Sequence, residues 1–249
     1  MDQPQVQRTE GRHVSADSPE VQILLPVHNE AQGIAATVHE IYDAISPAAR
    51  LEFLLCEDGS KDNTKQVLRQ LAKELPVKLQ LSDDRKGYSR AVRDGMMEMQ
   101  APFLLCLDSD GQCDPADFRK FWEARNDADV LIGRRVHRAD TLLRKIMSST
   151  FFVIWKMLYR VPIHDPSCPF VLARKEVIHE IAGKMGAMRE GFWWEFSARV
   201  SRRGYSIQEI PVHHRRRAAG VTQVYHLRKL PDIGYRHFMA LFRIFHETR

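Results

Sequence analysis

The sequence lacks what would make it a membrane-spanning or a disulfide-stapled protein. Among 249 residues there are four cysteines, Cys56, Cys106, Cys113 and Cys168, and no CxxC pair. That set builds neither a disulfide framework nor a zinc ribbon, and it suits reduced thiols in a cytosolic setting. Cys113 reads as a small buried residue rather than a nucleophile. No apolar run reaches the roughly 18 residues needed to span a bilayer. The first residues carry no apolar core of a signal peptide. His28, His213 and His214 have no spacing that gives zinc a further ligand, so they read as structural or phosphate-contacting. There is no low-complexity tract and no extreme charge. The formal net charge is +5, the pI is near 9.1, and 28% of residues are charged. A mildly basic chain fits an anionic partner, whether nucleotide, lipid phosphate, membrane surface or nucleic acid.

What is present is an alternation of strands and helices. Residues 1–20 are polar and aperiodic and read as a flexible tail. Val21 to Val27 (VQILLPV) predicts a first strand, and Ile34, Val38, Ile41, Tyr42 and Ile45 lie on one helical face after it. Leu51 to Cys56 predicts a second strand. Asp62-Asn63-Thr64 then opens a helix whose buried face carries Val67, Leu68, Leu71 and Leu75. Val77 to Leu81, Phe103 to Leu107, Ala128 to Ile132, Phe170 to Ala173 and Tyr205 to Val212 read as further strands, with helices between most of them. This order predicts an α/β protein with a mostly parallel, doubly wound sheet.

Several of these strands end in acids: Glu30 after the first, Asp58 after the second, Asp108 and Asp110 after Phe103–Leu107. In an open α/β sheet the carboxyl ends of the strands face the ligand. Acids gathered at that edge build one site. Two carboxylates one residue apart, backed by Gly111, suit a hard divalent cation, which usually also holds phosphates.

In order and spacing, Pro26-Val27-His28-Asn29-Glu30, Glu57-Asp58-Gly59-Ser60-Lys61-Asp62, Lys86-Gly87 and Asp108-Ser109-Asp110-Gly111-Gln112 resemble glycosyltransferase family 2 with its GT-A fold. The resemblance spans about residues 20 to 225. Gln112, Gly133 to Arg135, the turn Asp165 to Phe170, and the set His214, Arg217, Gly220 and Thr222 resemble the dolichol-phosphate mannosyltransferase group and its polyprenyl-phosphate relatives. The resemblance implies a nucleotide-sugar site on Pro26, Val27, Asn29, Glu30, Asp58, Lys86, Gly87, Asp108 and Ser109. Glu30 would accept from the ribose and Asp58 would bond the base. Where the family commonly has Asp-Asp-Gly-Ser, this chain has Glu57 in the first place. Asp108, Asp110 and Gln112 would hold Mg²⁺ or Mn²⁺ against the diphosphate, with Asp110 central to catalysis, and the transfer would invert the anomeric centre.

The acceptor stays open between two classes. A polyprenyl or dolichyl phosphate is already anionic and needs positioning rather than a strong base. Arg135, Arg144, Ser148, His214 and Arg217 are the candidates to bind it, with Arg135 and Arg217 nearest the chemistry. A soluble or cell-envelope glycan would instead need a carboxylate base, for which Glu195 is the candidate. The stretch Thr141 to Arg160 gathers Arg144, Lys145, Ser148, Ser149, Lys156 and Arg160 on one half of a helix. It reads either as a core helix with solvated cations or as a basic helix at a membrane interface; Trp155 and Tyr159 suit both. Residues 21–225 are expected to form the GT-A domain, with a nucleotide half to about residue 115 and an acceptor half to about 225, and 226–249 an amphipathic helical segment. The expected location is cytoplasmic and peripheral on a membrane. A homo-oligomer or a membrane-anchored partner subunit is compatible with a sequence that ends without a transmembrane helix. A third reading, a basic nucleic-acid-binding module, rests on the run His213 to Arg217, which lacks interleaved stacking aromatics apart from its histidines.

Overall fold

In the computed structural model of the chain, residues 18–136, 142–159, 161–215 and 230–247 are described, the side chains of 142–150, 230 and 231 excepted. The strands are β1 (Val21–Val27), β2 (Leu51–Glu57), β3 (Val77–Gln80), β4 (Phe103–Cys106), β5 (Val130–Arg135), β6 (Val171–Arg174) and β7 (Ile207–Val212). The helices are α1 (Ile34–Ile45), α2 (Thr64–Glu74), α3 (Tyr88–Glu98), α4 (Phe118–Glu123), α5 (Leu142–Tyr159), α6 (Lys175–Ala182), α7 (Phe192–Arg203) and α8 (Leu230–His246).

Among the described residues the strands form one sheet in the order β3-β2-β1-β4-β6-β5-β7. Strands β1 to β4 run parallel, as do β5 and β7. Strand β6 runs antiparallel to both β4 and β5. The sheet is therefore mixed around one reversed strand, and all the others end at the same edge. Strand β5 reaches Arg135 instead of stopping near Ile132, because its pairing with β7 continues to Arg135 opposite Val212.

Every residue of β1 is buried, as expected of a strand covered on both faces. Its polar member, Gln22, is 1% exposed and fully used: its Oε1 accepts from the amides of Gln100 (2.6 Å) and Ala101 (3.0 Å). Ile34, Val38, Ile41 and Ile45 give α1 its buried face. Burying a side chain of this size stabilises the fold by about 1.5–3 kcal/mol. Helix α3 lies close against the sheet at Gly95, where a Cβ would stand 2.4 Å from Cys56 Sγ and 2.7 Å from Leu24 Cδ1. All four cysteines are buried and unbridged. Burial pushes the Cys56 and Cys168 thiols up to about 12 and raises those of Cys106 and Cys113, so they stay protonated, as structural thiols do.

Helices α5, α7 and α8 pack against one another. Trp155 (0% exposed) and Tyr159 (7%) are core residues, which decides between the two environments that suited them. The Tyr159 hydroxyl donates to the Leu241 carbonyl at 2.7 Å, tying α5 to α8.

Candidate active site

The site forms where β1 and β4 part company. Their pairing ends at Leu24 opposite Cys106, while β1 continues beside β2 to Val27. Strand β1 has β2 on one side and β4 on the other, so this gap is the switch point of the sheet. Pro26 sits where β1 keeps a single strand neighbour, a position that tolerates the missing amide hydrogen.

The loops after β1 and β2 are sewn together. Asn29 adopts a left-handed conformation (φ 54°), which asparagine tolerates better than most residues. Its amide donates to Ser60 Oγ (3.0 Å), and its side-chain oxygen accepts from the Lys61 amide (2.9 Å). The amides of Glu30 and Ala31 donate to Thr64 Oγ1 and Asp62 Oδ2. Gly59, at φ +62°, passes so close to the next loop that a Cβ would meet the Asp84 and Arg85 backbone at 2.4 Å. Glu57, the departure from the family pattern, has its carboxylate accept from the amides of Ser60 and Ser82. It is a loop anchor.

Asp58 is 3% exposed, and its oxygens are taken by backbone. Oδ1 accepts from the amides of Lys86 (2.5 Å) and Gly87 (3.0 Å), and Oδ2 from Gly87 (2.9 Å). These bonds fix the Lys86-Gly87 turn at the entry to α3. The Lys86 ammonium pairs with Asp94 on that helix at 3.1 Å.

Asp108 and Asp110 are half-buried beyond β4, flanking buried Ser109. Asp108 Oδ1 accepts from the Tyr88 hydroxyl at 2.8 Å. That hydroxyl also accepts from the indole of Trp193 at 2.8 Å. Burial, then the charge of Asp108, raises the Tyr88 pKa well above the ordinary phenol value. Asp110 Oδ1 accepts from the Gln112 amide at 3.1 Å, and Oδ2 has no protein partner among the described residues. Two half-buried carboxylates on a turn with Gly111 at φ +72° suit an all-oxygen cation site. Gln112 donates its side-chain amide to the Arg215 carbonyl at 3.2 Å.

A short antiparallel ladder closes the site from the other side. Cys113 bridges His214, and the Arg215 amide donates to the Gln112 carbonyl at 2.8 Å. The ladder brings half-buried His214 beside the two-aspartate loop. The neighbouring side chains are paired: His213 Nδ1 lies 3.1 Å from Asp117, and Arg215 pairs with Asp114 (2.7 Å) and Glu40.

Arg135, at the end of β5, is 12% exposed in its side chain. Its guanidinium grips Asp165 with two bonds of 2.6 and 2.7 Å and donates to Ser167 at 2.7 Å. Burial opposes its charge, but the Asp165 bonds more than offset that and hold its pKa above the usual arginine value. The Asp165–Phe170 turn is thus fastened to β5 through Arg135. Nη1 is left without a partner among the described residues.

Glu195 differs most from expectation. It is 0% exposed, and its carboxylate accepts from the amides of Gly186 (3.1 Å), Ala187 (3.1 Å) and Met188 (2.7 Å) and from Arg199 Nε (2.8 Å). A fully buried carboxylate with four donors on it is a loop anchor. Arg144 and Ser148 lie on α5 where side chains are outside the described residues, and Arg217, Gly220 and Thr222 also lie outside them. Sequence reasoning missed Tyr88 and Trp193. The signals available were an aromatic directly after Lys86-Gly87 and a Trp-Trp pair opening α7.

This sheet, with its one reversed strand and its carboxylates at the switch point, is the GT-A fold of a glycosyltransferase. Residues 22–182, more than half of the chain, match the sequence model of Glycosyl transferase family 2, and the chain belongs to that family. It is 27% identical over 200 residues to a dolichyl-phosphate hexose transferase of Haloferax volcanii, covering 79% of this chain and 83% of that protein. It is 28% identical over 228 residues to a dodecaprenyl-phosphate galacturonate synthase of Rhizobium johnstonii, covering 89% of this chain and 66% of the relative. Among solved structures it is similar to a mannosyltransferase from Pyrobaculum calidifontis in complex with GDP-Man and Mn²⁺. There the TM-score is 0.64 and the identity 17%, with 93% of this chain and 65% of that one covered. These relatives and neighbours include chains appreciably longer than this one.

Proposed function

We propose that the protein transfers a sugar from a UDP- or GDP-sugar to a polyprenyl or dolichyl phosphate, with inversion, at the cytoplasmic surface of a membrane. The observation that carries this reading is the pair Asp108 and Asp110, half-buried at the switch point, with one Asp110 oxygen lacking a protein partner among the described residues. Their hard oxygen donors fit Mg²⁺ or Mn²⁺. Such a cation would neutralise the charge of the departing nucleoside diphosphate. Pro26, Val27, Asn29, Glu30, Lys86, Gly87 and Ser109 line or support the nucleotide side, and Asp58 acts by fixing the Lys86-Gly87 turn. Gln112 belongs to the cation group through its side-chain oxygen. Arg135 Nη1, His214, Arg144, Ser148 and Arg217 form the acceptor side.

Two facts favour a phosphate acceptor over an alcohol. Glu195 is saturated by four donors and so is not available to take a proton from a hydroxyl. The Haloferax and Rhizobium relatives bear the names of dolichyl- and dodecaprenyl-phosphate enzymes. Membrane attachment is supported by an exposed stripe on α8, Tyr235 (66%), Met239 (50%) and Phe242 (38%), with Arg236 and Arg243 beside it. Val153 and Met157 are exposed on α5, which packs on α8. No helix among the described residues is long and apolar enough to cross a membrane, so attachment would be peripheral.

A thermal-shift panel of GDP- and UDP-sugars with Mn²⁺ or Mg²⁺ identifies the donor, because ligand at a hundred times its Kd adds about 2.7 kcal/mol of apparent stability. With that donor and a short-chain polyprenyl phosphate, Asp110→Ala is expected to lose metal-dependent turnover at an unchanged melting temperature. Undiminished turnover in that variant would remove the metal role.

A further inference from the structure

Tyr88 and Trp193 lie 105 residues apart in sequence and meet at one hydroxyl. An indole N–H can only donate. The Tyr88 oxygen must therefore accept from Trp193, and its single proton is left for Asp108 Oδ1. Both bonds are 2.8 Å. The direction of the chain is fixed by chemistry, Trp193 to Tyr88 to Asp108.

Both ends of this chain are held from behind. The Tyr88 ring packs edge-on against Phe192 (centroids 6.4 Å apart), and Trp193 packs edge-on against Phe192 and Phe196. Trp193 is 7% exposed. Next to Tyr88, the Ser89 hydroxyl donates to the Arg189 carbonyl at 2.5 Å, so the start of α3 is fastened both to the loop entering α7 and to α7 itself. That loop is itself held by the Glu195 carboxylate through the amides of residues 186–188. On the other side of Tyr88, Asp58 grips the Gly87 amide. Tyr88 is 39% exposed but is held at its backbone, at one ring edge and at its hydroxyl, and that hydroxyl bonds one oxygen of Asp108.

We propose that Tyr88 and Trp193 are a positioning relay that sets the plane of the Asp108 carboxylate for the divalent cation. Asp108 leaves a short strand on a turn, with its Oδ1 bonded to the Tyr88 hydroxyl. The relay holds that oxygen in place before any ligand arrives, which lowers the ordering cost of cation binding. Trp193 acts through Tyr88 and touches no ligand in this scheme. The inference rests on the reading of Asp108 as a cation ligand.

The test is Mn²⁺ binding to the full chain in saturating GDP or UDP. Free Mn²⁺ is counted by its electron paramagnetic resonance signal. Variants are Tyr88→Phe, Trp193→Phe, their double, and Asp108→Asn as control. Hydrogen bonds to a charged group are among the stronger ones, so Tyr88→Phe is expected to weaken Mn²⁺ at least roughly tenfold. Trp193→Phe should weaken it less. The double variant should match Tyr88→Phe alone, since removing the hydroxyl already breaks the relay. Turnover of Tyr88→Phe should recover at high Mn²⁺, a change in the metal's KM with little change in kcat. Unchanged or tighter Mn²⁺ binding in Tyr88→Phe, with Asp108→Asn defective, overturns the relay and leaves the cation site standing. Additive losses in the double variant, or equal falls in melting temperature without a change in Mn²⁺ affinity, reduce the pair to a structural role. Wild-type binding in Asp108→Asn overturns the cation reading and the relay together.

Discussion

Carboxylates in this protein divide by what their oxygens already hold. Asp58, Glu57 and Glu195 are saturated by backbone amides and anchor loops, whereas Asp110 keeps one oxygen without a protein partner among the described residues. The sequence marks all of these acids alike, because residue type and spacing reveal where a carboxylate stands and not which amides reach it. The division has a direct test at Glu195. Glu195→Gln leaves Arg199 with Glu247, 2.6 Å away, as its remaining anionic partner among the described residues. Losing a hydrogen bond between charged groups costs about 1.5–3 kcal/mol. Urea denaturation should therefore reveal a large loss of stability, with kcat of the folded fraction little changed. A variant of normal stability whose kcat collapses would restore Glu195 as a base. Tyr88 and Trp193 were illegible for a related reason: neither residue is distinctive alone, and their meeting depends on how α7 sits on α3.

At the scale of elements, the strands that carry the site were readable. The apolar runs of β1, β2 and β4 end in acids as expected, and the face of α1 is the one its spacing predicts. The reversal of β6 was not readable, since Val171 to Arg174 is compatible with either direction; pairing partners decide it. Nor was the reach of β5 to Arg135, which depends on β7 lying alongside. Helix α3 carries a further constraint. Its closeness to the sheet depends on Gly95, so Gly95→Ala must push the helix away from Cys56 and Leu24. Overpacking of this kind typically costs about 1–3 kcal/mol. The alanine's better helix propensity recovers at most about 1 kcal/mol. A lower melting temperature is expected, together with weaker nucleotide binding, because α3 begins at the turn that Asp58 holds. A melting temperature at or above that of the parent chain would mean that the helix is free to shift at no cost.

At the scale of the whole molecule, the site edge of the sheet and the apolar–cationic stripe of α8 belong to one chain without a spanning helix among the described residues. Replacing Tyr235, Met239 and Phe242 together by Ser should abolish co-sedimentation with anionic liposomes while leaving the melting temperature nearly unchanged, since all three are exposed. Co-sedimentation at the level of the parent chain would show that another surface meets the lipid.

The pairing order of the sheet also has a consequence in time. Strands β1 to β4 find all their partners among themselves except at one flank of β4, and they are complete by residue 106. Among the described residues strand β5 pairs with β6 and β7, both later in the chain. A polypeptide leaving the ribosome can thus finish the platform of β1 to β4 early, while β5 waits for Val212 to emerge. The half of the sheet built from β5, β6 and β7 is the last part to be laid down, against a platform already in place.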